Sequence, residues 1–216
     1  MQALFLDIDN TCICSIHTKV LNKIMKANPS SSIPKFLAQS IATHVDNIGE
    51  ENILTIPVDG GYSVLPRPGL SQFLNFISKY KVYVLSSADH PGYLDKIIPF
   101  FNIPAIEIFS TRDYKGLGTI GKKVGIFSDG QFISNQWCLV DDQLPIGRNS
   151  LADKFNLIGF SWDEYQNMIQ ANTFDYPNFN YVHCAPWYGT HNDSDGGLNG
   201  YKVKAFINEY MYGVAS

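Results

Sequence analysis

The chain opens on an apolar run, residues 3–6, that stops at two carboxylates, Asp7 and Asp9, with Thr11 just after them. Four apolar residues without interruption suit a strand buried on both faces, the condition of an interior strand in a parallel sheet. Open α/β sheets build their sites outside the carboxyl ends of such strands. Asp7 and Asp9 are two residues apart, a spacing that in extended chain turns both side chains to one side. Carboxylates that close repel each other unless a cation lies between them or one keeps a proton. The competing reading is an Asp- and Asn-rich turn that caps the next helix, and the rest of the chain has to decide between them.

Strand-like and helix-like stretches alternate after this start. Ile16, Val20, Ile24 and Met25 recur at helical spacing over residues 16–27. After the break at 28–32, Pro34 can open a second helix at its first position, with Phe36, Leu37, Ile41 and Val45 on one face. These two helices predict a small cap inserted at about 16–50. Residues 53–58 and 62–65 flank Asp59-Gly60-Gly61 and predict a β-hairpin over about 53–65. Arg67-Pro68-Gly69 ends it, and Leu70, Phe73, Leu74 and Ile77 mark a helix. Buried strands are expected at 81–85, 105–109, 136–140 and 156–160. Between the first two of these, Leu94, Ile97, Ile98 and Phe101 form the apolar side of a helix. Residues 117–127 fit either a glycine-weakened helix or a hairpin around Asp129-Gly130, and 162–171 fit the helix after the last strand. This alternation argues for a doubly wound parallel sheet in an α/β domain over 1–172. Residues 173–216 read as an aromatic-rich appendage on the same domain, closed by a helix bearing Val203, Phe206, Ile207 and Tyr210.

Composition narrows the function classes. The net charge is −4 with no basic run, so an extended nucleic-acid surface is not expected. The four cysteines form no metal-type pair and fit a reducing compartment. The amino-terminal apolar run is too short for a signal peptide and lacks a basic start, and no run approaches membrane-spanning length. A cytoplasmic protein without a membrane partner is the expectation. His17, His44 and His90 show no metal-ligand spacing, and adjacent His183 and Cys184 suit core or loop. Asp193-Ser194-Asp195-Gly196 lacks the distal glutamate of a calcium loop and reads as a polar loop.

Three strands end in polar clusters: Asp7, Asp9 and Thr11; Ser86 and Ser87; Asp141 and Asp142. Parallel strands would bring these ends to one edge of the sheet. Hard carboxylate oxygens suit Mg²⁺, which would relieve the repulsion among Asp7, Asp141 and Asp142 and accept a phosphate oxygen. Ser86 is in register with the other strand ends, and Ser87 is one step out. Lys115 is the favoured lysine, with Lys122 and Lys123 nearer Asp141 in sequence and open as alternatives.

This pattern resembles the haloacid dehalogenase superfamily of phosphohydrolases. The apolar strand with Asp7-Ile8-Asp9-Asn10-Thr11 resembles its first motif, Val84-Leu85-Ser86 the second, Lys115 the third and Leu139-Val140-Asp141-Asp142 the fourth. The hairpin with Asp59-Gly60-Gly61, followed by Arg67-Pro68-Gly69 and Phe73-Leu74, is similar to the small carboxy-terminal-domain phosphatase-like branch. That branch carries Leu or Val where Cys12 stands here. The resemblance implies a Rossmann-like doubly wound fold and a Mg²⁺-dependent phosphatase. It further implies Asp7 as nucleophile and Asp9 as acid and base. Ser86 and Lys115 would lie against the phosphate, with Asp7, Asp141, Asp142 and the Asp9 backbone carbonyl around Mg²⁺. A second carboxylate at this spacing favours phosphoryl transfer over dehalogenation, since a carbon–halogen bond needs no acid. The substrate would be a phosphorylated small molecule, nucleotide or phosphoprotein. The alternatives are a nucleotidase or nucleic-acid-end phosphatase, and a non-catalytic phosphate-binding scaffold.

Overall fold

The computed structural model describes residues 3–26, 33–58, 60–86, 88, 92–109, 137–142, 181–194 and 196–212. In chain order its elements are β1 (Ala3–Leu6), β2 (Ile13–His17), α1 (Thr18–Met25), α2 (Lys35–Ile48), β3 (Leu54–Ile56) and β4 (Tyr62–Pro66). They continue with α3 (Leu70–Ile77), β5 (Lys81–Leu85), α4 (Tyr93–Phe100), β6 (Ala105–Phe109), β7 (Trp137–Asp141), β8 (Tyr181–His183) and α5 (Tyr201–Tyr212). A 3₁₀ turn at Glu50–Asn52 joins α2 to β3.

β1 is the middle strand of a parallel sheet of order β6-β5-β1-β7-β8. It is paired on both sides, with Leu4 between Val82 and Cys138 and Leu6 between Val84 and Val140. Leu4, Phe5 and Leu6 are wholly buried. An interior parallel strand has no wet face, and that is why the run carries no polar residue. The strands expected at 81–85, 105–109 and 136–140 are β5, β6 and β7. The fifth, β8, comes from the stretch expected as an appendage: Tyr181, Val182 and His183 pair parallel with Leu139, Val140 and Asp141. α5 packs on β7 and β8. The α/β class and parallel sheet agree with the sequence reading.

A second, antiparallel sheet has the order β2-β4-β3. The hairpin expected over 53–65 is β3 and β4, and Gly60 and Gly61 both take positive φ at its turn. The sequence reading missed β2. Ile16 shares a helical spacing with Val20 and Ile24, yet residues 13–17 form a strand because β4 offers them a full ladder, Ile13 opposite Pro66 through His17 opposite Tyr62. The first helix therefore starts at Thr18.

The helical stripes are also rotated from the expected ones. α1 buries Leu21 and Ile24 and leaves Met25 39% exposed. α2 buries Ala38, Ile41, His44 and Val45, with Phe36 77% exposed. α5 buries Val203, Ile207 and Met211, with Phe206 out in solvent. In each case a large apolar residue sits one step off the stripe that the packing selects. Pro34 precedes the helix as its cap, and its carbonyl accepts from the Leu37 and Ala38 N–H groups. The stripes of α3 and α4 fall where expected: Leu70, Phe73, Leu74 and Ile77, then Leu94 and Ile97, with Ile98 and Phe101 half-buried.

Among the described residues two apolar cores are seen. The larger joins the parallel sheet to α3, α4 and α5. The smaller joins α1 and α2 to the small sheet through Leu21, Ile24, Ile41, Val45 and Leu65, and Trp187 from the carboxyl-terminal stretch closes it. Over the stretch expected as a cap, α1 and α2 thus pack against a small sheet. The expected strand at 156–160, the helix at 162–171 and the stretch 117–130 lie outside the described residues. Among the described residues no helix is long and apolar enough to cross a membrane.

The packing separates two phenylalanines. Phe73 has no exposed surface, and Phe73→Ala is expected to cost about 3–5 kcal/mol of unfolding free energy. Phe36→Ala should stay within about 0.5 kcal/mol. Urea denaturation followed by circular dichroism checks both.

Candidate active site

The site grows from the carboxyl end of β1. The Asp7 N–H donates to the Val140 carbonyl at 3.0 Å, extending the ladder by one residue. The chain then folds back sharply. The N–H groups of Cys12 and Ile13 both donate to the Ile8 carbonyl, and Asn10 takes a left-handed φ of 59°. Asn tolerates that conformation better than most residues. The turn drops Thr11 back over Asp7. Its hydroxyl lies 3.1 Å from Asp7 Oδ2 and 3.2 Å from Asp142 Oδ1 and accepts the Asp142 N–H at 3.0 Å. One side chain thereby ties the first strand end to the end of β7.

Asp7, Asp141 and Asp142 converge. Each offers a carboxylate oxygen within 4.8 Å of the other two, and all three residues are buried. At that separation each pair of full charges repels by about 3–4 kcal/mol at an effective dielectric of 20. The donor set is all carboxylate oxygen, which fits Mg²⁺ and not a soft metal.

Asp9 goes elsewhere. The Tyr93 hydroxyl donates to its Oδ1, and Ser15 Oγ lies 2.6 Å from the same phenol oxygen. Since the phenol proton goes to Asp9, Ser15 is the donor to Tyr93. Burial pushes the Asp9 pKa above the ordinary carboxylate value, and the Tyr93 hydrogen bond offsets part of the rise. The two carboxylates of the first motif thus have different environments, one in a charged cluster and one against a phenol. Asp9, Ser15, Val58, Tyr62, Ala88 and Tyr93 line a cavity of about 200 Å³ with almost no polar surface besides the acid. A larger cavity of about 730 Å³ lies between the start of α3 and the end of α4, and no residue of the acidic cluster lines it. Asp9 lines the smaller cavity and not the larger, and none of Asp7, Asp141 and Asp142 lines either.

Ser86 follows β5, the neighbour of β1, and is buried. Its Oγ accepts the Ala88 N–H at 3.1 Å, which leaves the hydroxyl proton to donate. Lys115, its alternatives Lys122 and Lys123, and Ser87 lie outside the described residues. The cysteine side chains are buried, and burial pushes the thiols of Cys14 and Cys184 up to about 12 and that of Cys12 well above its usual value. They stay protonated and do not compete as nucleophiles.

The sequence reading placed Arg67 at the end of the hairpin and gave it no partner. Its guanidinium is inside the protein, and every donor has a partner. Nε and Nη2 form a two-point bridge to Asp193 at 2.8 and 2.6 Å. Nη2 also donates to the Ala185 carbonyl at 2.6 Å. Nη1 reaches the Thr11 carbonyl at 2.9 Å, with Asn10 O and Cys184 Sγ more distant. Burial alone would lower the Arg67 pKa, and the Asp193 carboxylate more than restores it. Asp193, from the stretch expected as a polar loop at 193–196, is therefore the half-buried partner of a buried arginine. Gly197 completes the fit, since a Cβ there would overlap the Asp193 carboxylate. The sequence held one signal: an arginine between an apolar strand and an apolar helix, with no polar face of its own.

The sequence matches the model of the family described as NLI interacting factor-like phosphatase over residues 2–116. Similar solved structures include Fcp1, described as an essential RNA polymerase II CTD phosphatase, at 15% identity and a TM-score of 0.50. That match covers 97% of this chain and 48% of Fcp1. A beryllium fluoride-bound variant of the fission yeast enzyme matches at 16% identity and a TM-score of 0.45, over 66% of this chain and 37% of the other. The chain thus spans about half or less of the length of these structures. No curated protein matches the sequence.

The bridge to Asp193 has a measurable worth. Arg67→Ala leaves a carboxylate and several carbonyls without their donor and is expected to cost about 3–5 kcal/mol in urea denaturation. Arg67→Lys should recover little, because an ammonium cannot reproduce the planar fork.

Proposed function

Since this chain belongs to the NLI interacting factor-like phosphatase family, within the haloacid dehalogenase superfamily, we propose that it hydrolyses phosphate monoesters through a phosphorylated Asp7. The observation that carries this reading is the division of labour among the carboxylates: Asp7 in a buried trio with Asp141 and Asp142, Asp9 apart against Tyr93.

In the first half-reaction an oxygen of Asp7 attacks phosphorus and the ester P–O bond breaks. The departing oxygen takes a proton from Asp9, whose buried setting favours the protonated form. In the second half-reaction water gives a proton to the Asp9 carboxylate as it attacks phosphorus. The bond to Asp7 then breaks and inorganic phosphate leaves. Thr11 holds Asp7 against Asp142 throughout, so the nucleophile need not reorient. Ser86 supplies a hydrogen bond to a phosphate oxygen, and Lys115 is the proposed cation beside it. Asp7, Asp141, Asp142 and the Asp9 carbonyl would hold Mg²⁺, which when bound neutralises the carboxylates and the phosphate and polarises phosphorus.

The cavity beside Asp9 lies where the leaving group would be protonated. Its apolar lining suits an uncharged group, such as a phosphorylated protein side chain with its neighbours or an aryl alcohol, better than a polyphosphate.

Asp7→Asn is expected to abolish turnover of an aryl phosphate in the presence of Mg²⁺, with the fold retained. Full turnover by that variant would refute the reading. Mg²⁺ at about a hundred times its Kd should raise the Tm of the wild-type protein by roughly 5–10 °C. Asp141→Asn should lose most of that rise in a thermal shift measured against EDTA.

A further inference from the structure

We propose that Tyr93, backed by Ser15, is a positioning residue that fixes the Asp9 carboxylate toward the leaving-group oxygen. This deepens the reading of Asp9 as the acid and rests on it.

The geometry has three parts. Tyr93 is the first residue of α4, held there by Gly92 at a φ of 74°, which L side chains rarely adopt. Its ring is buried and its hydroxyl crosses to Oδ1 of a residue 84 positions earlier. Ser15, on β2 of the small sheet, holds the phenol oxygen from the other side. The carboxylate therefore has one oxygen occupied by a donor, and the other is left to carry the proton that is transferred. Without the phenol, Asp9 would be free to rotate about its last side-chain bond, since the turn at Ile8 to Ile13 is held through backbone groups and does not restrain the carboxylate. A misdirected acid loses rate without losing binding.

A buried tyrosine hydroxyl needs a partner for stability alone, so the test must separate orientation from folding. An acid matters little when the leaving group is already stable as an anion and greatly when it is not. Tyr93→Phe keeps the ring and removes only the hydroxyl. With p-nitrophenyl phosphate, whose leaving group departs readily, its kcat/KM should fall by no more than about threefold, and with an alkyl phosphate by roughly tenfold or more. The loss should fall on kcat, with KM nearly constant. Ser15→Ala should show the same pattern more weakly. In the Asp9→Asn background Tyr93→Phe should add nothing further, because the phenol acts through the carboxylate.

Equal losses on both substrates, or an additive loss in the double variant, would overturn the proposal and leave Tyr93 a packing residue. If Asp9→Asn shows the leaving-group dependence and Tyr93→Phe does not, the positioning role alone fails. If Asp9→Asn shows no such dependence, the acid assignment fails and this inference falls with it.

Discussion

The guanidinium of Arg67 holds together three pieces of chain that share no local pattern: the turn after β1, the start of α3 and the segment after β8. Among the described residues it is the largest of the wholly buried side chains. Bringing a cation into a protein interior is expensive, and only a full set of hydrogen bonds and an opposing charge offsets it. Arg67 has both, with Asp193 met through the two-point geometry that arginine alone can offer. A lysine or a neutral residue would leave Thr11 O and Ala185 O without their donor. The turn that carries Thr11 is therefore built around a cation that never touches the acidic cluster but settles where its scaffold lies.

That scaffold matters because the cluster repels itself. Asp7, Asp141 and Asp142 are kept close by backbone and not by mutual attraction. β1 and β7 are adjacent in a ladder with Leu6 opposite Val140, and the Asp7 N–H continues it. Cys184 extends the next ladder to Asp141 O, and the Trp187 N–H reaches Asn10 O. The sheet and the carboxyl-terminal segment together confine both strand ends, and Thr11 places a hydroxyl proton between two of the charges. Such a preorganised concentration of negative charge binds a small hard cation with little rearrangement. The same confinement would not serve the proposed acid, Asp9, which has to hold a proton. Asp9 escapes by facing a phenol and an apolar cavity.

How much of this was legible in the sequence depends on how local each signal is. The run at residues 3–6, the acidic pairs at two strand ends and the stripe of α3 are written in neighbouring residues, and each appeared where the pattern said. β2 was not legible, since its strand conformation comes from a partner some fifty positions later in the chain that local spacing does not record. Arg67 and Asp193 lie 126 residues apart and Asp9 and Tyr93 lie 84 apart, and no periodicity connects either pair. Phe36 and Phe206 misled for a different reason. Hydrophobicity fixes a stripe only to within a residue, and the packing of Ile41 and Val45, or of Ile207 and Met211, selects its phase.

The two missed interactions act on opposite sides of the same turn. Arg67 takes the carbonyls of Asn10 and Thr11, and Trp187 donates to Asn10 O from the carboxyl-terminal segment. Tyr93, itself held by Ser15, takes the side chain of Asp9, two residues before Thr11. Backbone hydrogen bonds fold the turn from Ile8 to Ile13, and side chains from distant segments tie it to the rest of the structure. It is held from the carboxyl-terminal side by a buried arginine paired with Asp193 and from the α4 side by a phenol. The small sheet supplies an anchor to each: Ser15 comes from β2, and Arg67 directly succeeds β4. The small sheet is in this sense part of the framework around Asp7 and Asp9. It separates two acids that lie only two residues apart in sequence.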